Sequence, residues 1–169
     1  MATNNSANTY IVPTTDNEVT QPSQPAFLAS LNANDANVTG AGAVYLVGTN
    51  VALTEIFDQN ADFNTNGTFT APVNGRYTFH CQVRFIALTA ASTRGEIILV
   101  TSNRSFYCET ANSGAMRANS NDLGMGQSFL MDMDAADTAT MRAADNGEVG
   151  DIVGIQGSNS TFFAGNLEC

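Results

Sequence analysis

The chain contains one histidine, His80, so any Ser-His-Asp or Cys-His catalytic arrangement would have to include it. No catalytic motif surrounds His80 in the sequence. The residues around His80 instead alternate between apolar and polar types, which is typical of a half-buried β-strand. We therefore predict that His80 has a structural or interfacial role and that the protein is not an enzyme.

Carboxylates that lie close together in the sequence are the second group with potential chemistry. Asp132, Asp134 and Asp137 follow the end of a predicted strand, and oxygen-rich loops of this kind can hold calcium. Acids and amides also alternate over residues 58–64, with the spacing of part of a calcium loop. Phe63 stands where an EF-hand requires glycine, so that motif is excluded. We predict solvated turn acids and no cofactor, and we keep calcium at Asp132, Asp134 and Asp137 as the alternative.

The charge balance limits the partners that the protein can attract. The chain has 16 acidic and 6 basic residues, and all of the basic residues are arginine. A net charge of −10 repels phosphate, so we predict no nucleic-acid partner and no binding to anionic membranes. Charged residues make up only 13% of the chain, so Asn, Thr, Ser and Gln carry most of the polarity. Such a surface suits extended uncharged contacts with other copies of a protein.

The cysteines and the first residues bear on the cellular compartment. Cys81, Cys108 and Cys169 are widely spaced and form no CxxC pair, so they match neither a zinc site nor a disulfide framework. Reduced thiols are the simpler interpretation, and a disulfide between two of the three stays open. The first twenty residues show no basic and apolar signal segment. We expect a chain that is made in a cytoplasm and not exported.

One long strand positions the candidate residues. Over residues 77–85 the odd positions are apolar and the even positions are polar, so the strand has a buried face and an outer face. His80, Gln82 and Arg84 lie on the outer face, and Asn74-Gly75 supplies a turn before the strand. The alternation here and in neighbouring segments predicts a core that contains Phe27, Phe57, Phe69, Tyr77, Phe79, Cys81, Val83, Phe85, Phe129, Met131 and Phe163.

The rest of the chain consists of short apolar segments with Gly, Asn and Pro between them. The continuously apolar run at residues 96–100 is typical of a strand covered on both faces, and residues 111–127 read as a long surface loop. No segment keeps a helical period over ten residues. Short strands with turns between them indicate a single all-β domain, a sandwich or a barrel.

The first 25 residues differ from the rest because they are polar and contain three prolines. Proline at this density opposes helix and central strand. We therefore predict an extended N-terminal docking arm over residues 1–25 and a globular domain over residues 26–169. The residues of the arm that could anchor it are Tyr10, Ile11, Val12 and Pro13.

The order of these segments resembles the globular head of complement component q, within the tumour-necrosis-factor-like jelly rolls. The central block over residues 56–85 carries most of the resemblance: a strand with an aspartate, a loop with Asn, the run FTAPV and an aromatic strand. Residues 161–167 resemble the closing strand. The resemblance covers about residues 25–168. It implies a ten-stranded antiparallel jelly-roll sandwich that assembles as a trimer.

A trimer gives the outer face of the long strand a role. Three copies of His80, Gln82 and Arg84 would approach the threefold axis and form the trimer interface. We expect them to pair there with acids such as Asp58 or Asp62. Titration of trimer dissociation through the ordinary histidine pKa of about 6.5 tests this hypothesis.

These features together predict a structural role in a virus particle. We expect a non-enzymatic virion protein, a trimeric decoration or cement protein on the capsid surface of a tailed bacteriophage. Its partners would be other virion proteins such as the major capsid protein. Synthesis in the host cytoplasm and release by lysis would explain the missing signal and the unpaired cysteines. The alternatives are a receptor-binding knob of a phage head or tail fibre, and a secreted complement-q-like module that binds glycans or proteins.

Overall fold

The computed structural model describes residues 12–13, 19–20 and 23–169, and in these residues the regular secondary structure is almost entirely strand. One short helix, α1 (Ser113–Met116), lies between the eleventh and twelfth strands. No helix in this part of the chain is long and apolar enough to cross a bilayer. The strands in chain order are β1 (Val12–Pro13), β2 (Val19–Thr20), β3 (Ala26–Leu31), β4 (Asp35–Thr39), β5 (Tyr45–Leu46), β6 (Leu53–Gln59), β7 (Phe63–Asn64), β8 (Thr68–Thr70), β9 (Gly75–Ile86), β10 (Arg94–Thr101), β11 (Ser105–Ala111), β12 (Leu123–Met133), β13 (Thr138–Asn146), β14 (Val153–Ile155) and β15 (Phe162–Leu167).

Strand β9 is the centre of a seven-stranded antiparallel sheet. It pairs with β12 along one edge, and with β15 and then β14 along the other edge. Strands β3 and β4 pair outside β15 and β14, and β6 pairs with β3 at the far edge. The second sheet has the order β11-β10-β13-β8-β7, with β5 also paired to β13. All of these pairings are antiparallel.

The core lies between the two sheets and is rich in aromatic rings. The Phe27 ring stacks on the Phe63 ring with centroids 4.5 Å apart, and it meets the Phe163 ring edge to face at 5.0 Å. Such aromatic pairs stabilise a core beyond the area that they bury. The alternation predicted over residues 77–85 is observed. Of the predicted core residues, the structure buries Phe27, Phe69, Tyr77, Phe79, Cys81, Val83, Phe85, Phe129, Met131 and Phe163.

The prediction for Phe57 was wrong, because its side chain is 48% exposed. Leu53 and Phe57 have the same parity along β6, so a regular strand would turn both towards the core. The pairing of β3 with β6 shifts register between Leu28 and Ala29, which leaves Ile56 as an extra residue. A bulge of this kind reverses the direction of the side chains that follow it. Phe57 therefore pairs with Leu28 and lies on the outer face of the sheet.

The boundaries of several segments also differ from the predictions. The model contains fifteen strands in the described residues instead of ten, partly because β3 and β4, and likewise β14 and β15, are halves of interrupted strands. At the interruptions the chain packs tightly, since a Cβ on Gly157 would lie 2.4 Å from the Ala33 carbonyl. The predicted loop over residues 111–127 instead contains α1 and the start of β12.

The N-terminal segment is only partly described. Val12 pairs with Thr20 and Pro13 pairs with Val19 in an antiparallel register. Tyr10 and Ile11 lie outside the described residues. The docking role of this segment stays a prediction.

Candidate interface on the seven-stranded sheet

The outer face of the seven-stranded sheet is ordered in rows, because the strand register sets which side chains lie beside each other. The middle row crosses all five strands from β12 to β6. It is made by Ser128, His80, Ala164, Leu28 and Phe57.

The rows on either side of it contain no Asp, Glu, Lys or Arg either. In these three rows His80 is the one ionisable side chain. Leu130 is 63% exposed in one of them, so the face also presents apolar surface to solvent. The upper row is Gly126, Gln82, Phe162, Ser30 and Thr54, and the lower row is Leu130, Thr78, Asn166, Ala26 and Gln59.

The three residues predicted for the trimer interface share this face, but they differ in their contacts. His80 is exposed, and its Nδ1 lies 2.8 Å from the Ser128 hydroxyl. Gln82 donates to the Ser160 carbonyl at 3.1 Å. Arg84 donates from Nε to Asp122 Oδ2 at 3.1 Å. All three are therefore bonded within their own chain, and His80 is the most exposed of them.

The acids proposed as partners of His80 are placed differently from the expectation. Asp58 pairs in register with the inward residue Phe27, and its carboxylate accepts the backbone N–H groups of Asp62 and Phe63 at 3.2 and 3.1 Å. Burial, and then the charge of Asp58, raise the pKa of Asp62. Asp58 lies near the end of β6 opposite an inward residue, and Asp62 lies in the turn between β6 and β7, so neither acid shares the face of His80.

Charged groups lie at the two ends of the outer face. At one end the hydrogen bond from Ser120, and then that from Arg84, hold the pKa of Asp122 below its usual range. At the other end Arg104 donates to Asp132 at 3.0 Å. These ion pairs frame the charge-free rows without entering them.

The three carboxylates proposed for calcium do not form a ligand cluster. Asp132 is paired with Arg104. Asp137 Oδ2 accepts the Asn103 side-chain amide at 2.8 Å and the Asp134 backbone N–H at 2.9 Å, so it stabilises its own turn. Across the described residues no three His, Cys, Asp or Glu side chains converge as metal ligands would. The arrangement supports turn acids at these positions.

Two acids that the sequence analysis did not single out lie buried where the loops between the sheets meet. Asp145 Oδ2 accepts the Ser113 hydroxyl at 2.8 Å, and burial raises the pKa of Asp145. Glu148 accepts the Thr89 N–H at 2.9 Å and the Ser92 hydroxyl at 2.8 Å. Burial acts to raise the pKa of Glu148, but the hydrogen bonds outweigh it and the pKa is lowered. The run Asp-Asn-Gly-Glu reads as a solvated turn, so local sequence offered no signal for this burial.

Comparisons with known proteins give matches at the level of structure. The globular domain of zebrafish complement 1qA superposes with a TM-score of 0.56 and 18% identity, covering 86% of this chain and 98% of that one. The chain has the jelly-roll fold of that domain. Crystal structures of murine APRIL at pH 8.5 and pH 8.0 superpose with TM-scores of 0.54 and 0.55, at 12% identity. Each of these alignments covers 85% of this chain and 98% of the other chain.

The comparisons by sequence found no match, neither to a family model nor to a curated protein. At these identities the structural matches establish the fold of the chain. The predicted all-β jelly-roll sandwich is thus confirmed as a fold.

Proposed function

We propose that the chain is a non-enzymatic structural protein that assembles as a homotrimer through the outer face of its seven-stranded sheet. The observation that carries this proposal is the set of three rows in which His80 is the one ionisable side chain. A chain with a net charge of −10 repels its own copies. Copies can approach closely only where that charge is absent, and this face meets the condition.

The same face has the apolar content that an interface requires. Leu130 and Phe57 are exposed large side chains on it, and Leu28 and Phe162 are partly exposed. Contiguous apolar surface on a soluble protein commonly marks a contact with another protein. Interface centres are likewise depleted in charge, with polar and charged groups at the rim. The ion pairs of Arg84 and Arg104 lie where such a rim would be.

We further propose that the trimer is a decoration protein on the capsid surface of a tailed bacteriophage. Both ends of the globular domain lie together, because Leu167 donates to the Pro25 carbonyl at 3.0 Å and Arg76 donates to the Cys169 carbonyl at 2.8 Å. A threefold axis along the strands would bring three N-terminal segments out on one side. Once one N-terminal segment of a trimer has bound the particle, the other two are held near the surface at a high effective concentration. Three weak contacts can therefore bind the trimer tightly.

Particle composition and a truncation test this role. Decoration predicts hundreds of copies of the chain per purified particle, and particles without it should lose heat tolerance. Deletion of residues 2–24 should leave a folded trimer that no longer binds particles. An unfolded product, or unchanged binding, would contradict the docking role of the arm.

The second candidate is a receptor-binding knob of a phage fibre. It is favoured by the loop over residues 147–152, which presents Val149 fully exposed while Glu148 is anchored in the buried network. A knob predicts few copies per particle and loss of host adsorption when the loop is changed.

A further inference from the structure

A trough runs along the outer face of β9 and β12, at the edge of the sheet opposite β6. Its upper part has a volume of about 530 Å³ and lies beside Met116 of helix α1. Its lower part has a volume of about 430 Å³ and lies beside Ser128 and Phe162. Gln82 and Gly126 line both parts, so the two form one continuous depression.

The floor of the trough contains two glycines that the isolated chain does not require. A Cβ at Gly124 would meet nothing within 4 Å, and a Cβ at Gly126 would meet only the Cys81 carbonyl at 3.6 Å. Neither glycine has a positive φ. By contrast, a Cβ at Gly165 would lie 2.6 Å from the Phe79 ring, so that glycine is needed for packing. Glycine inside a strand costs stability, and it often marks the close approach of another chain.

The opposite edge of the same sheet, at β6, protrudes where the trough is recessed. The bulge in β6 leaves Ile56 58% exposed and Phe57 48% exposed, beside the partly exposed Leu28. These two large apolar side chains, Ile56 and Phe57, form a ridge on a free sheet edge. Exposed apolar edges favour association with another chain. The sheet therefore carries a ridge on one edge and a trough on the other.

The register places the ridge and the trough at the same level. Phe57 lies in the row of Ser128, and Thr54 lies in the row of Gly126, so Ile56 falls between these two rows. Rotation about an axis roughly parallel to the strands does not change the position of a residue along that axis. The ridge of one copy would then face the trough of the next at Gly126 and Ser128.

We propose that the ridge Ile56–Phe57 of one copy occupies the trough at Gly126–Ser128 of the next copy, so that the trimer closes by three heterologous contacts. The inference rests on the proposed homotrimer and specifies how its copies recognise each other. Two different patches on one chain give a ring when the rotation closes. No unpaired charge has to be buried, because the ridge residues and the lower part of the trough contain no Asp, Glu, Lys or Arg, and Arg84 and Asp122, which line the upper part, already form an ion pair.

A cysteine pair tests the contact directly. Cys108 and Cys169 are first replaced by serine. Phe57→Cys and Gly126→Cys are then combined in this background, and the two introduced cysteines are oxidised. The buried Cys81 is left in place. We expect a covalent trimer on a non-reducing gel from the double variant and monomer bands from each single variant. If the wild-type protein is a trimer, monomer bands from the double variant or dimer bands from a single variant would overturn the proposal. A monomeric wild-type protein would instead defeat the proposed function.

Complementation provides a second test that does not depend on oxidation. Gly126→Trp fills the trough, and the pair Ile56→Ser, Phe57→Ser removes the ridge, so each variant should be monomeric. An equimolar mixture should form dimers, because one intact ridge and one intact trough remain between the two chains. Gly150→Trp is the matched control, since a Cβ at Gly150 also meets nothing within 4 Å, and it should stay trimeric. A mixture that stays monomeric, with both variants folded by circular dichroism, would contradict heterologous closure.

Discussion

The outer faces of the two sheets differ in their chemistry. On the six-stranded sheet, the outward positions near β10 include the exposed Arg94 and Glu109 and the partly exposed Arg142, and Arg94 is paired with the buried Glu96. On the seven-stranded sheet, three successive rows hold one ionisable side chain, His80. Both faces belong to one acidic chain with few charges, and on the seven-stranded sheet the charged residues lie outside the three middle rows.

The difference indicates which side meets water and which meets protein. A face with ionisable groups keeps its hydration, and burying it would cost several kcal/mol for each unpaired charge. A charge-free face with exposed Leu130 and Phe57 loses little when it is covered. The fold would be stable with either face in solvent, so the contrast points to an assembly rather than to folding.

The largest expected effect concerns the inner face of β9, which lies in the core of each chain whether or not the chain assembles. Phe79 is fully buried and contacts the rings of Phe69 and Phe163. Phe79→Ala should lower the free energy of unfolding by roughly 3–5 kcal/mol, because it leaves a cavity in the core. Urea denaturation measures the change. A loss below about 1 kcal/mol would contradict the placement of this face between the sheets.

The next effect separates the two outer faces. Leu130→Asp places a charge among the apolar rows, and we expect the trimer to weaken by at least roughly a hundredfold, or about 2.8 kcal/mol. Tyr107→Asp is the matched control, because Tyr107 is 59% exposed on an outward position of the six-stranded sheet. Analytical ultracentrifugation of both variants gives the answer. Equal effects of the two substitutions would remove the contrast between the faces.

A smaller effect concerns His80 as the one titratable group of the three rows. Its neighbours across the strands are Ser128 and Ala164, and the charged residues on the same face of β9 are Arg76 and Arg84, each four positions from His80. Histidine is the side chain whose charge commonly changes between pH 5 and 8, and a charge at this position would have no acid to pair with in the three rows. We expect the trimer to weaken about tenfold between pH 8 and pH 5.5, a change of about 1.4 kcal/mol. In His80→Gln this change should be absent; its persistence would assign the pH dependence to carboxylates.

The smallest effect concerns the buried loop network, away from both faces. Burial raises the pKa of Asp145, and its Oδ1 has no hydrogen-bond partner. The neutral form is therefore favoured in the folded state, and the stability that Asp145 contributes is lost as pH rises through its raised pKa. Asp145→Asn should stabilise the fold at pH 8, relative to pH 4, by about 1 kcal/mol. Urea unfolding at the two pH values measures this, with the exposed Asp134→Asn as control. Destabilisation at pH 8 would contradict the assignment.

The fold was largely predictable because its signals are local. Alternation over residues 77–85 depends only on neighbouring residues, and it placed Phe79 and Cys81 in the core. The position of Phe57 was not predictable, since it depends on a bulge that arises from pairing with β3. The burial of Asp145 in β13 likewise requires contact with Thr39 of β4 and Ser113 of α1, which are far from it in the sequence.

The candidate interface was predictable in part for the same reason. The outer direction of His80, Gln82 and Arg84 follows from strand parity, and the structure places all three on one face. That Gln82 and Arg84 are bonded to Ser160 and Asp122 could not be read from spacing. The open space above Gly124 and Gly126 is a property of the folded sheet alone, because the sequence does not show what lies above a glycine.

The association state of the wild-type chain tests the central claim most directly. Sedimentation equilibrium at neutral pH should give a single species of three times the 17.8 kDa chain mass. This species should persist as the protein is diluted through the micromolar range. A single species at the mass of one chain, under conditions where the protein is folded, would contradict the account.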